Sequence, residues 1–487
     1  MNPRLKFPIF VVLTLLMLIS CTHKKPQEPP VLPVDIDSKN WRKNVSFPFE
    51  EKIHFKTIAN PKFQVRTLAN GIKVHFLHDK NALYTNIRYV VLNDSAHQPL
   101  MTELIHGFYS YGSETVRDHK FQLLMRNTGS NFNHVQGPDF SESSIDVLSH
   151  DTNLVLKILG DLISRPNFSE KNFAKVKRQV ALNNKIGAVI GQQYARRMFF
   201  NLIYGEEHPY GEKKRDSDAL DDTSLEAIKN YYYSNFLPGE AHIIIAGRIN
   251  DPESLLNQVK QAFNFKRKKS NFKQTRFKKP TPNHDIYFFH RPHAQQVNIV
   301  SGVMAEPKSS SRWFYQSALA KILGGGSHSR LFKDLRETRG LTYSIRASMP
   351  PRKLHSPFYI STSCGDHKVA AMLTGIFQHR DFLMNQNMAG DELQFHKNHL
   401  LGRLALFRET PSQLAWHHSR QLVFGEAGDA LLKYQGQAKA LTAKHIQDSA
   451  KNLFAKPWVN VIVGDYTRVK EQLEKYFPKL KIKVIES

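Results

Sequence analysis

Two segments of the chain contain residue types that could do chemistry. The first holds a carboxylate and an imidazole close together, Glu103 and His106, with another histidine, His119, further along. Such groups bind zinc, but closing a tetrahedral site needs three suitably placed protein ligands. The second segment holds Arg336 and Tyr343, whose guanidinium and phenol groups donate hydrogen bonds to carbonyl oxygens and oxyanions.

The two cysteines, Cys21 and Cys364, exclude a disulfide framework and a cysteine-rich zinc site. Cys364 lies in an alternating segment, Tyr359–Gly365, which predicts a buried and unreactive thiol on a strand. Cys21 follows an apolar run, Phe7–Ile19, that basic residues precede. This run is too short to span a bilayer and is typical of a secretory signal.

The segment Leu18–Cys21 resembles the bacterial lipobox, where a signal peptidase cuts before a cysteine whose thiol is lipidated. The resemblance implies a signal peptide over residues 1–20 and a mature chain beginning at lipidated Cys21. Thr22 stands where an acidic residue would alter lipoprotein sorting, which implies an outer-membrane anchor facing the periplasm. The alternative is an uncleaved anchor helix with an incidental cysteine.

Basic residues outnumber acidic ones, with 68 Lys and Arg against 43 Asp and Glu and a net charge of +25. This balance favours nucleic acid, anionic lipid or an acidic partner, and the secretory signal argues against nucleic acid. Prolines after Cys21 predict an extended, Pro-rich tether over residues 21–60. A basic linker is predicted at 266–283, either simply solvated or in contact with anionic headgroups or an acidic partner.

Strand and helix patterns alternate around the candidate residues. An Asn-Gly pair inside Val65–Phe76 predicts a tight hairpin, and Tyr84–Leu92 predicts a further strand. Helical spacing of apolar residues follows from Leu100 to Phe108, around Leu124, from Leu154 to Leu162, from Asn167 to Ile186 and from Gln192 to Tyr204. The first half is therefore expected to mix helices and strands.

The second half of the chain repeats the first. A helix, a proline and a glycine-ended strand within Thr223–Gly247 recur in the same order within Leu441–Gly464, about 218 residues later. This period has the size of a domain rather than of a solenoid repeat, so it indicates a tandem duplication. We expect homologous domains over 61–265 and 284–487.

Four segments carry a family resemblance: Tyr204–Gly211, Leu225–Gly247, Leu323–Phe332 and Leu335–Ser344. Together they resemble the M16 peptidases, the family of insulin-degrading enzyme, pitrilysin and the mitochondrial processing peptidase, over most of the mature chain. The resemblance implies an α+β fold of two tandem homologous M16-type domains, similar to the mitochondrial processing peptidase. Each domain would hold a mixed, mainly antiparallel sheet flanked by helices.

An M16 peptidase binds zinc through His-x-x-Glu-His on one helix and through a glutamate roughly 75 residues further on. The resemblance places Met101–Phe108 at the first motif, shortly before the family's glycine, here Gly112. It places Asn183 and Asn184 at the downstream acidic position. A neutral amide is a poor replacement for a zinc carboxylate.

Two alignments of the first motif are open. With His106 on the second ligand, Thr102 replaces the first histidine and Ile105 replaces the catalytic glutamate. With the segment anchored on the family's glycine instead, Glu103 and Gly107 take the ligand positions and His106 takes the base position. Either alignment removes the zinc site, so we expect no metal or other cofactor to be bound by this chain.

Arg336 and Tyr343 match a pair that in the family reaches the zinc site, orients the substrate backbone and stabilises the oxyanion. In two-subunit bacterial members, one chain carries zinc and the other carries this pair. The resemblance therefore implies a lipid-anchored, periplasmic, non-catalytic subunit that is inactive alone. Its partner would be a zinc-bearing M16 chain with His-x-x-Glu-His, and its substrates would be unfolded peptides.

Two alternatives stay open. One is an active M16 metalloendopeptidase with displaced ligands, using Glu103, His106 and His119. The other is a peptide-binding or envelope scaffold protein without a peptidase partner. His208, in a His-Pro-Tyr-Gly segment, is predicted to be a turn residue rather than a ligand.

Overall fold

A computed structural model describes Arg42, 45–47, Phe55, Thr57 and the ranges 61–92, 98–211, 217–237, 239–266 and 282–486. The predicted signal peptide, Cys21 and most of the predicted linker lie outside the described residues. All described residues belong to one compact unit of the chain, Ile36–Ser487.

The strands of the first half form one six-stranded sheet. They are β1 Gln64–Thr67, β2 Lys73–His78, β3 Tyr84–Leu92, β4 Asn131–Gln136, β5 Phe140–Leu148 and β6 Ala241–Gly247. Their order across the sheet is β1-β2-β6-β3-β5-β4, in which β2 and β6 are parallel and the other neighbours are antiparallel. The predicted hairpin joins β1 to β2, and Gly71 supplies the positive φ of +84° that its turn requires.

The strands of the second half form a second six-stranded sheet. They are β7 Ile286–His290, β8 Val297–Met304, β9 Ile345–Ser348, β10 Pro357–Cys364, β11 Val459–Gly464 and β12 Ile482–Glu486. Their order is β12-β7-β11-β8-β10-β9, with β7 parallel to both β11 and β12. Five strands of the first sheet match five strands of the second sheet in order and direction. The sixth strand lies at the same edge of each sheet, but it comes first along the chain in the first half, as β1, and last in the second half, as β12. The expectation of two related, mainly antiparallel sheets is confirmed.

Helices flank both sheets. In the first half they are α1 Pro99–Tyr109, α2 Asp118–Asn127, α3 Thr152–Ser164, α4 Glu170–Val189, α5 Gly191–Tyr204, α6 Ser217–Asp221, α7 Leu225–Tyr231 and α8 Pro252–Ala262. In the second half they are α9 Trp313–Gly324, α10 Val369–Asn385, α11 Gly390–Leu406, α12 Pro411–Phe424, α13 Ala430–Lys439, α14 Ala443–Phe454 and α15 Tyr466–Tyr476. Two π-helical turns occur, Tyr232–Phe236 and Phe332–Thr338. Across the described ranges, no helix is long and apolar enough to cross a membrane.

Helix α4 begins later than the predicted Asn167. Ser169 is its N-cap, and the Ser169 side chain accepts a hydrogen bond from the Asn172 amide at 3.4 Å. A serine in the extended conformation satisfies one of the amide groups that a helix start leaves without a partner, so it sets the boundary. Apolar spacing alone does not contain this information.

The two halves exchange a helix. Helix α5 of the first half packs through Ala195, Phe199 and Ile203 against Val300 and Val461 of the second sheet. Helix α12 of the second half packs through Ala415, Val423 and Phe424 against the first sheet, at Val90, Ile244 and Ala246. Each sheet is therefore covered in part by the other half of the chain.

A row of histidines supports α12 on the first sheet. His418 of α12 lies 3.0 Å, nitrogen to nitrogen, from His75 of β2, and His75 lies 3.0 Å from His242 of β6. Oε1 of Glu240 lies 3.4 Å from Nε2 on the far side of His242. Because each ring nitrogen of His75 faces one neighbour, His75 can accept from one and donate to the other only while it is neutral. Burial, and then the imidazoles of His418 and His242, lower the pKa of His75 to about 3.

The described part of the predicted tether lies against helix α11. The Arg42 guanidinium donates to both carboxylate oxygens of Asp391 at 2.9 and 2.7 Å. Phe47 is buried, with its ring centroid 5.6 Å from that of Phe395. Phe55 packs at the edge of a cluster that includes Leu401. The end of the tether nearest the domain is thus anchored to the second half.

Candidate functional site

Helix α1 carries the segment that resembles a zinc motif, and its buried face holds no ligand. The Thr102 hydroxyl is buried and donates to the Gln98 carbonyl oxygen at 3.1 Å. Ile105 lies fully inside the apolar core. A Cβ atom on Gly107 would lie 2.6 Å from Val176 Cγ1 of α4, so this position has room for glycine only. These three positions serve packing.

Glu103 and His106 lie half-buried on α1, where a strand supplies an unexpected neighbour. The ring of His106 lies 3.2 Å, centroid to centroid, from that of His134 on β4, at 80°. Nδ1 of His134 lies 2.9 Å from the Ser143 hydroxyl on β5, and burial lowers the pKa of His134 to about 3. Sequence reasoning missed His134 because only the sheet register brings it to α1. His119, named in the displaced-ligand alternative, is exposed on α2.

The downstream segment lies on α4, the helix that packs on α1. The contact between Gly107 and Val176 marks where the helices pack together. Asn183 is exposed, and its Oδ1 accepts from Gln179 Nε2 at 3.0 Å, while Asn184 is half-buried. Their side chains are neutral amides, which do not supply the charge of a zinc carboxylate.

The residues present do not fit a zinc ion. In one alignment the helix offers the engaged hydroxyl of Thr102 and the aliphatic side chain of Ile105, and in the other it offers Gly107. The downstream positions offer only the amides of Asn183 and Asn184. Within the ranges that the structure describes, no group of three or more His, Cys, Asp or Glu side chains could hold a metal ion. The retained carboxylate and imidazole of Glu103 and His106 fall short of the three ligands that closure requires.

Arg336 and Tyr343 lie side by side on the second half. Arg336 stands on the π-helical turn Phe332–Thr338, with its guanidinium carbon 4.3 Å from the centroid of the Phe332 ring. The same carbon lies 5.3 Å from the centroid of the Tyr343 ring. The Tyr343 side chain is 86% exposed. Donors of both residues are thus available at one point of the surface.

A buried charge network holds the turn that carries Arg336. Arg330 donates twice to the Glu392 carboxylate, at 2.6 and 2.8 Å, and both side chains are fully buried. Asp334 accepts from Arg339 at 3.2 Å and lies 2.8 Å from His379 Nε2. Burial lowers the pKa of His379, so the neutral ring donates to Asp334. The network anchors the turn at both of its ends.

The loop that presents Tyr343 is fixed on each side. Gly340 takes a positive φ of +57°, and the Leu341 amide donates to the Leu335 carbonyl oxygen at 2.8 Å. The Thr342 hydroxyl donates to the Ser363 carbonyl oxygen of β10 at 2.6 Å. Exposure of Tyr343 therefore coexists with a restrained backbone.

Two further sequence predictions concern residues away from this pair. Cys364 is buried at the end of β10, and burial raises the pKa of its thiol to about 12, as expected for an unreactive cysteine. His208 stands in a turn, where its Nδ1 accepts from the Tyr210 amide at 3.0 Å and its ring stacks on Tyr204. It has the predicted turn role.

Comparison with known proteins shows which proteins this chain is similar to. Residues 222–400 match the family model described as "Peptidase M16 inactive domain". The chain is 21% identical to an uncharacterized zinc protease of Bacillus subtilis over 362 residues, which cover 74% of this chain and 87% of that protein. It is 24% identical to an uncharacterized zinc protease of Rickettsia bellii over 291 residues, covering 58% of this chain and 67% of that protein.

Solved structures share the fold. The crystal structure of a peptidase M16 inactive domain from Pseudomonas fluorescens superposes with a TM-score of 0.74 at 19% identity, covering 83% of this chain and 98% of that one. A protease from Helicobacter pylori also gives a TM-score of 0.74, at 18% identity, covering 83% of this chain and 100% of that one.

Proposed function

We propose that this chain belongs to the M16 peptidase family, which it resembles in sequence and fold, and that it is the non-catalytic subunit of a two-chain metallopeptidase. It would contribute Arg336 and Tyr343 to an active site whose zinc ligands belong to a partner chain. The proposal includes a periplasmic location and an outer-membrane anchor at Cys21, as its lipobox-like segment suggests.

One observation carries the proposal: the zinc-binding motif is incomplete in this chain, whereas the Arg336 and Tyr343 pair is present. Neither alignment leaves a complete zinc motif: one places the packed Thr102 and Ile105 at motif positions, and the other places the packed Gly107 there. In contrast, Arg336 and Tyr343 stand together at the surface, above a fully buried charge network.

The chemistry of the pair suits a peptide substrate. The planar guanidinium of Arg336 can bind backbone carbonyl oxygens in a set orientation. The Tyr343 phenol can donate one hydrogen bond to the oxygen on which negative charge develops during attack on the carbonyl. Because both groups are held by a restrained backbone, little reorganisation is needed when the charge appears. The zinc and the attacking water would be supplied by the partner.

The partner is therefore expected to carry an intact His-x-x-Glu-His helix, and the substrates to be unfolded peptides. To test this, we would tag the full chain in its own host and purify it from the envelope under native conditions. Recovery of an M16 chain with the intact motif is expected. The purified complex should cleave an unstructured peptide, whereas this chain alone should contain no zinc and cleave nothing.

Variants of the complex test the role of the pair. Tyr343→Phe and Arg336→Lys should each lower kcat by roughly 10²- to 10³-fold, the usual loss when one oxyanion donor is removed, with subunit association unchanged. Tyr476→Phe, at another partly exposed tyrosine of the same half, is the matched control and should retain full activity.

Three results would contradict the proposal. Stoichiometric zinc with cleavage by the isolated chain would make this chain an enzyme with displaced ligands. Recovery of unrelated envelope proteins only would favour a scaffold. Full activity of both pair variants in a working complex would show that Arg336 and Tyr343 are not used.

A further inference from the structure

Helix α4 carries a continuous exposed seam, in which Lys175 lies over the Tyr111 ring at 5.1 Å. Its members are spaced alternately four and three residues apart and are all exposed: Lys171, Lys175, Arg178, Leu182, Lys185 and Val189. Ile186 is exposed beside them. We call this set the α4 seam. Spacing of this kind keeps side chains on one side of a helix and is the spacing by which two helices pack along their length.

The second half of the α4 seam is apolar. Leu182 is 50% exposed, Ile186 is 47% exposed and Val189 is 76% exposed. Single exposed apolar residues are common and need no explanation. Three of them on consecutive turns of one helix, at its solvent-facing side, form a patch that another molecule could cover.

The first half of the α4 seam is basic and repels itself. Lys171 and Lys175 are four residues apart, and Arg178 follows three residues later, so like charges are neighbours on the helix surface. These cations also lie in the first half of the helix, where the helix dipole favours anions. Among the described residues, no carboxylate forms an ion pair with Lys171, Lys175, Arg178 or Lys185. Within the described part of the chain, no carboxylate offsets this repulsion.

The helix that presents the seam is held firmly. Its opposite side packs on α1 through Val176 at Gly107. At its end, the Arg291 guanidinium from the second half donates to the carbonyl oxygens of Ala188 and Val189 at 2.7 and 3.1 Å. The α4 seam is therefore a rigid surface and needs no rearrangement before binding.

We infer that the α4 seam binds an acidic amphipathic helix of another polypeptide. Carboxylates of that helix would face Lys171, Lys175 and Arg178, and its apolar side chains would cover Leu182, Ile186 and Val189. The seam spans about 27 Å, the length of five turns, which a helix of about three heptads matches. The net charge of +25 would attract such a segment from a distance.

A membrane surface fits the α4 seam less well. Helices that lie on membranes place cations along one face and a broad apolar surface along the other. Here the cations and the apolar residues follow one another along a single narrow seam. This inference goes beyond the proposed function, because binding at the seam can be measured whether or not any peptide is cleaved.

The test is fluorescence anisotropy of the full chain with labelled peptides of about three heptads. The first peptide has glutamates at the heptad positions of one half and leucines at those of the other half. Two matched peptides replace its glutamates with lysine or its leucines with serine. The chain should bind the first peptide and should bind each matched peptide at least about tenfold more weakly. Added salt should weaken the binding.

Seam variants locate the binding. Lys175→Glu with Arg178→Glu, and separately Ile186→Ser, should each reduce affinity for the first peptide by about tenfold or more. The controls are Lys451→Glu with Lys479→Glu, at exposed lysines of the second half, and Leu154→Ser, at a partly exposed leucine of α3. These controls should bind like the unmodified chain, and no variant should unfold at a lower melting temperature because the changed residues are exposed.

Four results would overturn the inference. The first is equal binding of the glutamate and lysine peptides. The second is unchanged peptide binding by the seam variants. The third is binding to a membrane instead of a helix: the seam variants would bind phosphatidylglycerol vesicles more weakly than the unmodified chain does, while their affinity for the peptide would be unchanged. The fourth is a dimer, detected by light scattering, that Ile186→Ser dissociates, since a second copy would then occupy the seam.

Discussion

Arg330 shows how a residue far from any chemistry can determine where a functional side chain stands. Its guanidinium forms two charge-assisted hydrogen bonds with Glu392, and neither side chain has contact with solvent. The ring of Phe382 covers the guanidinium at 4.5 Å. The π-helical turn with Arg336 starts two residues later, at Phe332. In the sequence, Arg330 is only one letter of a family signature, and its partner is 62 positions away.

We predict that Arg330→Met destabilises the protein strongly. Removing Arg330 leaves the buried Glu392 charge with only the more distant Arg42 guanidinium, 4.0 Å away, and breaking a buried pair typically costs about 3–5 kcal/mol of unfolding free energy. Urea denaturation at pH 7 measures this cost. Adding Glu392→Gln should restore a large part of the loss, because the unpaired charge is then gone. A single variant within about 1 kcal/mol of the unmodified protein would contradict the assignment.

At the scale of elements, helix α12 is held on the first sheet by both apolar and titratable contacts. Ala415 and Phe424 supply the apolar part. Arg420 donates to the buried Glu142 at 2.9 Å, and His418 continues the row through His75 to His242. The row requires a neutral His75 ring, so its contribution to stability depends on pH.

We predict that stability falls as the solution is acidified from pH 7 to pH 4, in part through His75. An unfolded histidine has a pKa near 6.5, whereas in the folded protein burial, then His418, His242 and Lys73, lower the pKa of His75 to about 3. Between these values the unfolded state binds more protons, so acid favours unfolding, by up to about 1.4 kcal/mol per pH unit for one group.

Urea denaturation of the unmodified protein and of His75→Gln at several pH values measures this contribution. The variant should be less stable at pH 7, and the difference should shrink toward pH 4, because only the unmodified protein loses the His75 contribution. Buried histidines that do not contact His75 act equally in both proteins and cancel. A difference that does not change with pH would refute the prediction.

At the scale of the whole molecule, the exchanged helices make each half incomplete without the other. Without the second half, α5 would expose Phe199, Phe200 and Ile203, and the first sheet would lose α12. The tether residues Arg42 and Phe47, which precede the first half along the chain, also contact the second half. The sequence repeat indicates two domains by descent, but their packing is shared.

We predict that residues 36–265 and 284–487, produced separately, do not fold cooperatively. Each fragment should bind the dye ANS and lack a sharp thermal transition, since it exposes one face of a sheet and one apolar helix. Produced together, the fragments should associate and regain the transition. As a control, the full chain with a protease site in the 266–283 linker should stay associated after cleavage. Cooperative unfolding of either isolated fragment would count against the exchange.

Some features of this protein were determined by the sequence alone because they depend on neighbours along the chain. The Asn-Gly hairpin needs only a residue that accepts positive φ, which Gly71 is. The duplication shows as repeated local order, and the resemblance of Leu335–Ser344 to the family predicts the pair Arg336 and Tyr343. The substitutions Thr102 and Gly107 likewise indicate that a zinc motif is missing.

The remaining features were decided by tertiary structure. An amphipathic pattern shows that α5 has an apolar face, but it does not say that the face covers the sheet of the other half, since any apolar surface satisfies it. His134 approaches His106 only through the register of β4, and Arg330 meets Glu392 only when α11 packs beneath the turn. Such contacts depend on how distant segments pack, and side-chain periodicity contains no record of the distant partner.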